Sequence, residues 1–468
     1  MIIEQIYTGC LAQGAYYIES NGEVAIIDPL REVQDYIDRA ANNNAKIKYI
    51  FETHFHADFV SGHVTLAEKT GAKIVYGPTA KTSFDAIIAE DNQVFKVGDI
   101  TITVLHTPGH TMESSCYLLK DKNGKDYAIF SGDTLFLGDV GRPDLAQKGA
   151  ITEEDLAGFL FDSLRNKVMP LADDVIVYPA HGAGSACGKN LSKETVGTIG
   201  NQKETNYALR ADMTKAEFVK EVTDGLLPPP AYFPLNVKLN KEGYKSIDEV
   251  LENSAKPLSV KAFEIHANET NALILDVRHQ SEFIKGFIPQ SIFIGLGGTF
   301  APWVGALIKD IKQPILLVTP EGEEEATIIR LSRVGFDNVL GYLKGSFSSW
   351  KEAGKEIDTL ESVSAHVLEE KIKENMPVFD VRKPGEYESE HIKVADSTPL
   401  DFLNTHISEF PKKGNFYVHC AGGYRSVIAS SILKARGFHN VIDVSGGYAA
   451  IKETTIERTA AVCPSTLK

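Results

Sequence analysis

A chain of 468 residues is too long for one hydrophobic core and corresponds to roughly three domains of ordinary size. Its 43% hydrophobic and 24% charged residues are those of a water-facing globular protein, and a net charge of −15 turns it away from nucleic acid and acidic membrane surfaces. No run of about 18 apolar residues occurs, and Met1-Ile-Ile-Glu-Gln lacks a basic region followed by an apolar stretch. The expectation is a soluble, cytoplasmic protein with no membrane partner.

Taken in chain order, the apolar runs 15–18 and 24–27 flank Asn21-Gly22 and predict a hairpin. Asp28-Pro29 ends its second strand, and a helix-like segment follows to about Ala40. The apolar run 47–51 then leads into Thr53-His-Phe-His-Ala-Asp58, with a helix-like segment at 64–69 behind it. His54, His56 and Asp58 therefore sit at the end of a strand, and two imidazoles with a carboxylate are metal-ligand chemistry. Three later strand ends carry matching groups. The run 100–105 enters His106-Thr-Pro-Gly-His110, 127–130 enters Ser131-Gly-Asp133, and 175–178 enters Pro179-Ala-His181. In layered α/β proteins such loops meet at one edge of the sheets. Spacing alone leaves open which of His54, His56, Asp58, His110, Asp133 and His181 are ligands.

These residues carry a resemblance. His54-x-His56-x-Asp58 with His110, Asp133 and His181 resembles the metallo-β-lactamase fold over about residues 1–250. It implies an αββα sandwich with a metal site at one edge. The dinuclear hydrolases of that superfamily carry a histidine directly after the aspartate, whereas this chain has Phe59, so what remains suits one metal. Thr53-His-Phe-His-Ala-Asp and Ser131-Gly-Asp-Thr, with Gly141-Arg142-Pro-Asp144, look like the persulfide dioxygenase branch. That resemblance implies one Fe(II) per chain held by His54, His110 and Asp133, with open positions for substrate sulfur and O2 as co-substrate. His56, Asp58 and His181 would orient ligands or bound water, or be alternative ligands. Arg142 is a candidate anchor for a substrate carboxylate or phosphate. The loop holding Cys187 and Lys189 is a candidate thiol-binding element. Cys10 and Cys116 read as buried small hydrophobes. Residues 192–226 are helical in pattern, and 227–234, with three consecutive prolines, read as an extended arm packed by Tyr232 and Phe233.

The second half is one unit written twice. Leu275-Asp-Val-Arg278 answers Phe379-Asp-Val-Arg382, each followed by a glutamate, Glu282 and Glu386. Gly335-Phe-Asp-Asn-Val339 answers Gly437-Phe-His-Asn-Val441, and a glycine turn follows in both. Strands alternating with helices at this spacing predict small parallel-sheet domains, at 257–355 and 360–468. The copies differ where chemistry would sit. The second has Val418-His-Cys420-Ala-Gly422-Gly423-Tyr-Arg425-Ser426 before a helix. Backbone N–H groups, the helix dipole and Arg425 would all favour a thiolate at Cys420, and the two glycines let the backbone curl around a bound anion. This resembles the rhodanese domain, which carries sulfur as a cysteine persulfide. The first copy reads Val318-Thr-Pro-Glu321-Gly-Glu-Glu-Glu325 and has no cysteine, so it is expected to be inactive and structural. All five cysteines are scattered, none at CxxC spacing, which argues against a disulfide framework.

The whole order resembles persulfide dioxygenase–rhodanese fusion proteins. It implies oxidation of a low-molecular-weight thiol persulfide, of glutathione, coenzyme A or a similar thiol, to sulfite and free thiol. Cys420 would exchange sulfane sulfur with sulfite or thiosulfate, and a homo-oligomer is expected. Two alternatives stand beside it. One is a zinc-dependent thioester hydrolase of the glyoxalase-II kind fused to a sulfurtransferase, and the other is a non-catalytic sulfur carrier or sensor.

Overall fold

The computed structural model describes residues 1–145, 151–189 and 191–462. Cys463 lies outside the described residues. The chain divides into two compact units, one comprising Met1–Glu249 with Ser332–Gly335, the other Val250–Leu331 with Phe336–Lys468.

The first unit is built on two six-stranded sheets. One runs Ile2–Thr8, Gln13–Ser20, Glu23–Ile27, Lys46–Phe51, Lys73–Tyr76 and Ile87–Ile88 in spatial order. The other runs Gly197–Thr198, Ile176–Pro179, Asp126–Gly132, Ser115–Lys120, Ile100–His106 and Val94–Val97. Strand alternation sorts the residues into layers. Tyr16, Ile18, Ala25 and Ile27 join Val104, Tyr117, Leu119 and Phe130 in the core between the sheets. Their neighbours Ala15, Tyr17, Val24 and Ile26 point the other way, into a core with Tyr36, Ala40 and Leu66 of the helices Gln34–Asn42 and His63–Thr70. A third core under Glu153–Ser163 and Lys215–Thr223 covers the second sheet. The order helix, sheet, sheet, helix is the expected αββα sandwich. Because both faces of each sheet are covered, the central strands read as near-continuous apolar runs.

Two local expectations change. Residues 192–226 are not one helical stretch: Gly197–Thr198 is an edge strand, and the helices are Ile199–Thr205 and Lys215–Thr223. The expected arm gives way at Phe233 to the helix Phe233–Glu242, whose first turn accepts Pro234 because the N–H there needs no partner. Tyr232 and Phe233 are buried, as expected.

In the second unit the two copies have the same topology. One five-stranded sheet runs Pro257–Leu258, Val339–Leu343, Ile315–Val318, Leu273–Asp276 and Ile292–Phe293. The other runs Ser362–Val363, Val441–Val444, Phe416–His419, Val378–Asp380 and Ala395–Ser397. Neighbouring strands within each sheet are parallel. The shared Asp-x-Arg is a buried brace: Arg278 donates to Asp276 at 2.6 Å and to the Gly286 carbonyl at 2.9 Å. Arg382 does the same with Asp380 at 2.6 Å and Glu390 at 2.8 Å. Register pairs Asp276 with Val318 and Asp380 with His419, so Thr319 occupies the place that Cys420 holds in the other copy.

Candidate metal centre and cysteine loop

His54 follows the strand Lys46–Phe51, His110 the turn after Ile100–His106, and Asp133 the end of Asp126–Gly132. A shift of register between Phe130 and Gly132 swings Asp133 inward. Gly132 has φ +53°, and a Cβ there would lie 2.7 Å from Cβ of Thr53, so only glycine lets this strand end approach the His54 loop. One ligand-type atom each of His54, His110 and Asp133 then lies within 4.8 Å of the others, all buried.

Hydrogen bonds fix which ring nitrogen each histidine offers. His110 Nδ1–H donates to the Arg142 carbonyl at 2.9 Å. Thr53 gives its backbone N–H and its hydroxyl to Asp28, each at 2.8 Å, so its Oγ1 accepts from His54 Nδ1–H at 3.0 Å. Both Nε2 lone pairs are left facing Asp133 Oδ2, at 3.8 Å from His54 and 3.4 Å from His110. That Oδ2 is buried and accepts no hydrogen bond. Burial and the neighbouring His56 hold His54 well below the ordinary imidazole range. Burial opposes charge on Asp133, yet His181, His54 and His110 keep its carboxyl well below the usual carboxylate range. Two imidazoles and one carboxylate gathered round a shared point fit a single divalent metal.

The other sequence candidates fall into two groups. His181 donates from Nδ1 to Asp133 at 2.9 Å and from Nε2 to Asp58 at 2.7 Å. Burial opposes its charge, but the two carboxylates raise its pKa well above the ordinary value. Cys187 is buried beside Asp58 and His181, and burial followed by Asp58 and Asp133 pushes its thiol up. His56 belongs to a separate buried group: its Nε2 is 3.0 Å from Asp28 Oδ1 and 3.5 Å from Glu52 Oε2, three residues that could themselves hold a metal ion. The ring of Phe59 packs on it with centroids 4.4 Å apart.

Arg142 and Lys189 are engaged within the chain. Arg142 forks onto Asp144 with two contacts of 2.6 Å, donates to the Ala186 and Leu227 carbonyls, and is 6% exposed. Lys189 Nζ donates to the Glu221 carbonyl at 2.9 Å and to that of Asp224. Cys116 is fully buried, whereas Cys10 is half-buried with Arg333 at 3.5 Å from its sulfur, so packing alone does not describe it. Sequence reading missed Asp28, Glu52 and Asn240. Asn240 donates to the carbonyls of His56 and Phe59 at 2.8 Å and accepts from Ser61 N–H at 2.9 Å, bracing the whole ligand loop. A lone asparagine in a helix far along the chain carries no local signal for that role.

Cys420 ends the strand Phe416–His419, and its loop closes on the helix Tyr424–Ala435. Gly423 turns at φ +98° and aims its N–H at Cys420 Sγ, 3.1 Å away. Sγ is 3.6 Å from Ser426 Oγ, which donates to Asp443 at 2.6 Å. Gly422 has nothing within 4 Å of a notional Cβ, so the outer rim of the loop is open. Arg425 is forked onto Glu386 at 2.6 and 2.8 Å, a partner the sequence repeat marked without showing the pairing.

The profile of the metallo-beta-lactamase superfamily matches residues 8–181, and that of the rhodanese-like domain matches 259–353 and 364–454. A probable hydroxyacylglutathione hydrolase of Schizosaccharomyces pombe is 32% identical over 161 residues, which are 34% of this chain and 58% of the relative. The chain thus spans little more than half of that relative. The crystal structure of a metallo-beta-lactamase from Staphylococcus aureus aligns at 30% identity with a TM-score of 0.64, covering 73% of this chain and 98% of its own. The structure of ETHE1 from Myxococcus xanthus aligns at 28% identity with a TM-score of 0.44, covering 52% of this chain and 98% of its own.

Proposed function

This chain belongs to the metallo-beta-lactamase superfamily and carries two rhodanese-like domains behind that fold, and from this premise we propose that it oxidises a low-molecular-weight thiol persulfide with O2 and transfers sulfane sulfur through Cys420. The overall change is R–S–SH + O2 + H2O → R–SH + SO3²⁻ + 2 H⁺, in which the outer sulfur loses four electrons to O2. The observation that carries this reading is a buried face of two imidazoles and one carboxylate, His54, His110 and Asp133, whose ligand-type atoms lie within 4.8 Å of one another. Two further buried groups, Asp58 with His181 and Cys187 and Asp28 with Glu52 and His56, offer other donor sets, and Phe59 follows Asp58 where the dinuclear hydrolases carry a histidine.

His54, His110 and Asp133 would hold one ferrous ion, which supplies redox chemistry and leaves other coordination positions for small ligands. The chain's own groups do the rest. Thr53 and the Arg142 carbonyl keep the two imidazoles oriented. His181, charged between Asp133 and Asp58, places a proton beside the site where an anionic product forms. At the second centre the Cys420 thiolate attacks the outer sulfur of a donor, and Gly423 N–H steadies the sulfur. Arg142 and Lys189 are spoken for inside the chain, so recognition of the thiol's tail is assigned to neither.

The hydroxyacylglutathione hydrolase relative supports a second reading, metal-dependent hydrolysis of a glutathione thioester. That chemistry commonly uses a hydroxide between two metals, and the placement of His56 and Phe59 weighs against it. Anaerobic purification with metal analysis, then oxygen uptake on adding glutathione persulfide, decides between them. One iron per chain with oxygen uptake, retained in Cys420→Ser, is expected. Two zincs per chain and no oxygen uptake would replace this reading with the hydrolase.

A further inference from the structure

The copy without a cysteine borders the Cys420 loop. The helix Tyr424–Ala435 lies along the first copy's edge strand, where Phe293 N–H donates to Ser431 Oγ at 3.0 Å. Tyr424, inside the loop, donates its hydroxyl to the Gly295 carbonyl at 2.7 Å. A Cβ at Gly298 would lie 3.7 Å from the same ring, so the strip 295–298 runs against it. Arg330 secures that strip, donating to the Leu296 carbonyl at 2.8 Å and to that of Gly298 at 3.4 Å over the ring of Phe300.

Near Cys420, Arg425 is forked onto Glu386. Arg330 differs: its contacts are carbonyls and a ring, no carboxylate among the described residues pairs with it, and its Nε is buried with no acceptor. The bond through Nη2 is the exposed one. A partly exposed guanidinium without a counter-charge is an anion subsite in waiting. It stands on the strip that receives the Tyr424 hydroxyl, not on the sulfur.

We propose that Arg330 forms the far half of the sulfur-donor site of Cys420, so that the preferred donor is a thiol persulfide whose tail carries a carboxylate or phosphate. The inactive copy would then be a substrate-binding element. This rests on the sulfurtransferase reading above. In the step, the Cys420 thiolate attacks the outer sulfur of R–S–SH and the S–S bond breaks. R–S⁻ leaves with the electron pair, and Cys420–S–SH remains. Thiosulfate carries its charge on the leaving sulfite, next to the transferred sulfur, and has no tail to reach Arg330.

The test is loading of Cys420 in the full-length protein, read by mass, with glutathione persulfide and with thiosulfate. Arg330→Ala is expected to lower the preference for glutathione persulfide over thiosulfate about tenfold, through KM, the scale of one lost charge-assisted bond. Arg330→Lys should recover part of it, and raised salt should erode the preference in the parent protein. An unchanged preference ratio in Arg330→Ala that melts like the parent would overturn the proposal. If Arg330→Ala does not fold, a salt-independent preference in the parent and an unchanged ratio in Arg330→Gln, which removes the charge but keeps a polar side chain, would do so. If neither donor loads Cys420 in the parent protein, the sulfurtransferase reading itself fails and this inference falls with it.

Discussion

Phe59 packs against His56 with ring planes 35° apart, and His56 Nε2 meets Asp28 Oδ1 at 3.0 Å. The aromatic ring does more than withhold a donor. It packs on an imidazole whose ring centre lies 4.3 Å from that of His54, and both residues are fully buried.

Phe59→His is the direct test of that relationship. It places a second imidazole beside Asp58 and His181, which lie together with Cys187. Metal content is expected to rise from one to two ions per chain on loading with zinc. An unchanged content would mean that something other than Phe59 sets the stoichiometry.

Asn240 should be costly to remove. Asn240→Ala leaves two buried carbonyls and the Ser61 N–H without partners. A loss of roughly 2–4 kcal/mol is expected from the unsatisfied groups. Urea denaturation measures it, and metal affinity should fall in the same variant because the loop it braces carries the ligands.

Asp443 makes the stability of the last domain depend on pH. Burial raises its carboxyl from 3.8 to about 6, against the hydroxyls of Ser426 and Ser362, which lower it. A raised folded-state pKa means that the stabilising contribution of the protonated form is complete below about pH 4. It is lost as pH rises through about 6. Asp443→Asn should therefore match the parent near pH 4 and be more stable by roughly 1–3 kcal/mol above pH 7. Amide exchange in Phe416–His419 and Val441–Val444, followed against pH, reads the difference. A constant gap across that range would contradict it.

The first copy should not become active by gaining a thiol. Thr319→Cys, made with Cys420→Ser, puts sulfur at the matching strand end, but Glu321, Glu323, Glu324 and Glu325 follow it. Alkylation by iodoacetate at neutral pH is expected to be at least about tenfold slower than at Cys420 in the parent, since like charge disfavours both the thiolate and the anionic reagent. Equal rates would show that backbone geometry alone activates the loop.

Much of the site could be read before the fold was known. His54, His110 and Asp133 announced themselves because a strand end is a local feature, visible as an apolar run that stops at a ligand-type residue. The repeat of Asp276-x-Arg278 in Asp380-x-Arg382 was equally legible, since each Arg returns to an Asp two residues away. Cys420 belonged to the same class: strand, short glycine loop and helix are contiguous.

What the sequence by itself determined is therefore the set of chemical groups and the strand ends that carry them. Which groups face one another was decided only by the tertiary structure. His56 is placed beside Asp28 and Glu52 while His54 is placed beside His110 and Asp133, and Asn240 reaches the loop from about 180 positions along the chain. Arg142 and Arg425 were both recognisable as anion binders, yet one forks onto Asp144 and the other onto Glu386. The physical reason is that a charge or a lone pair is satisfied by whatever the fold brings within about 3 Å, and residue type and local spacing do not encode that partner.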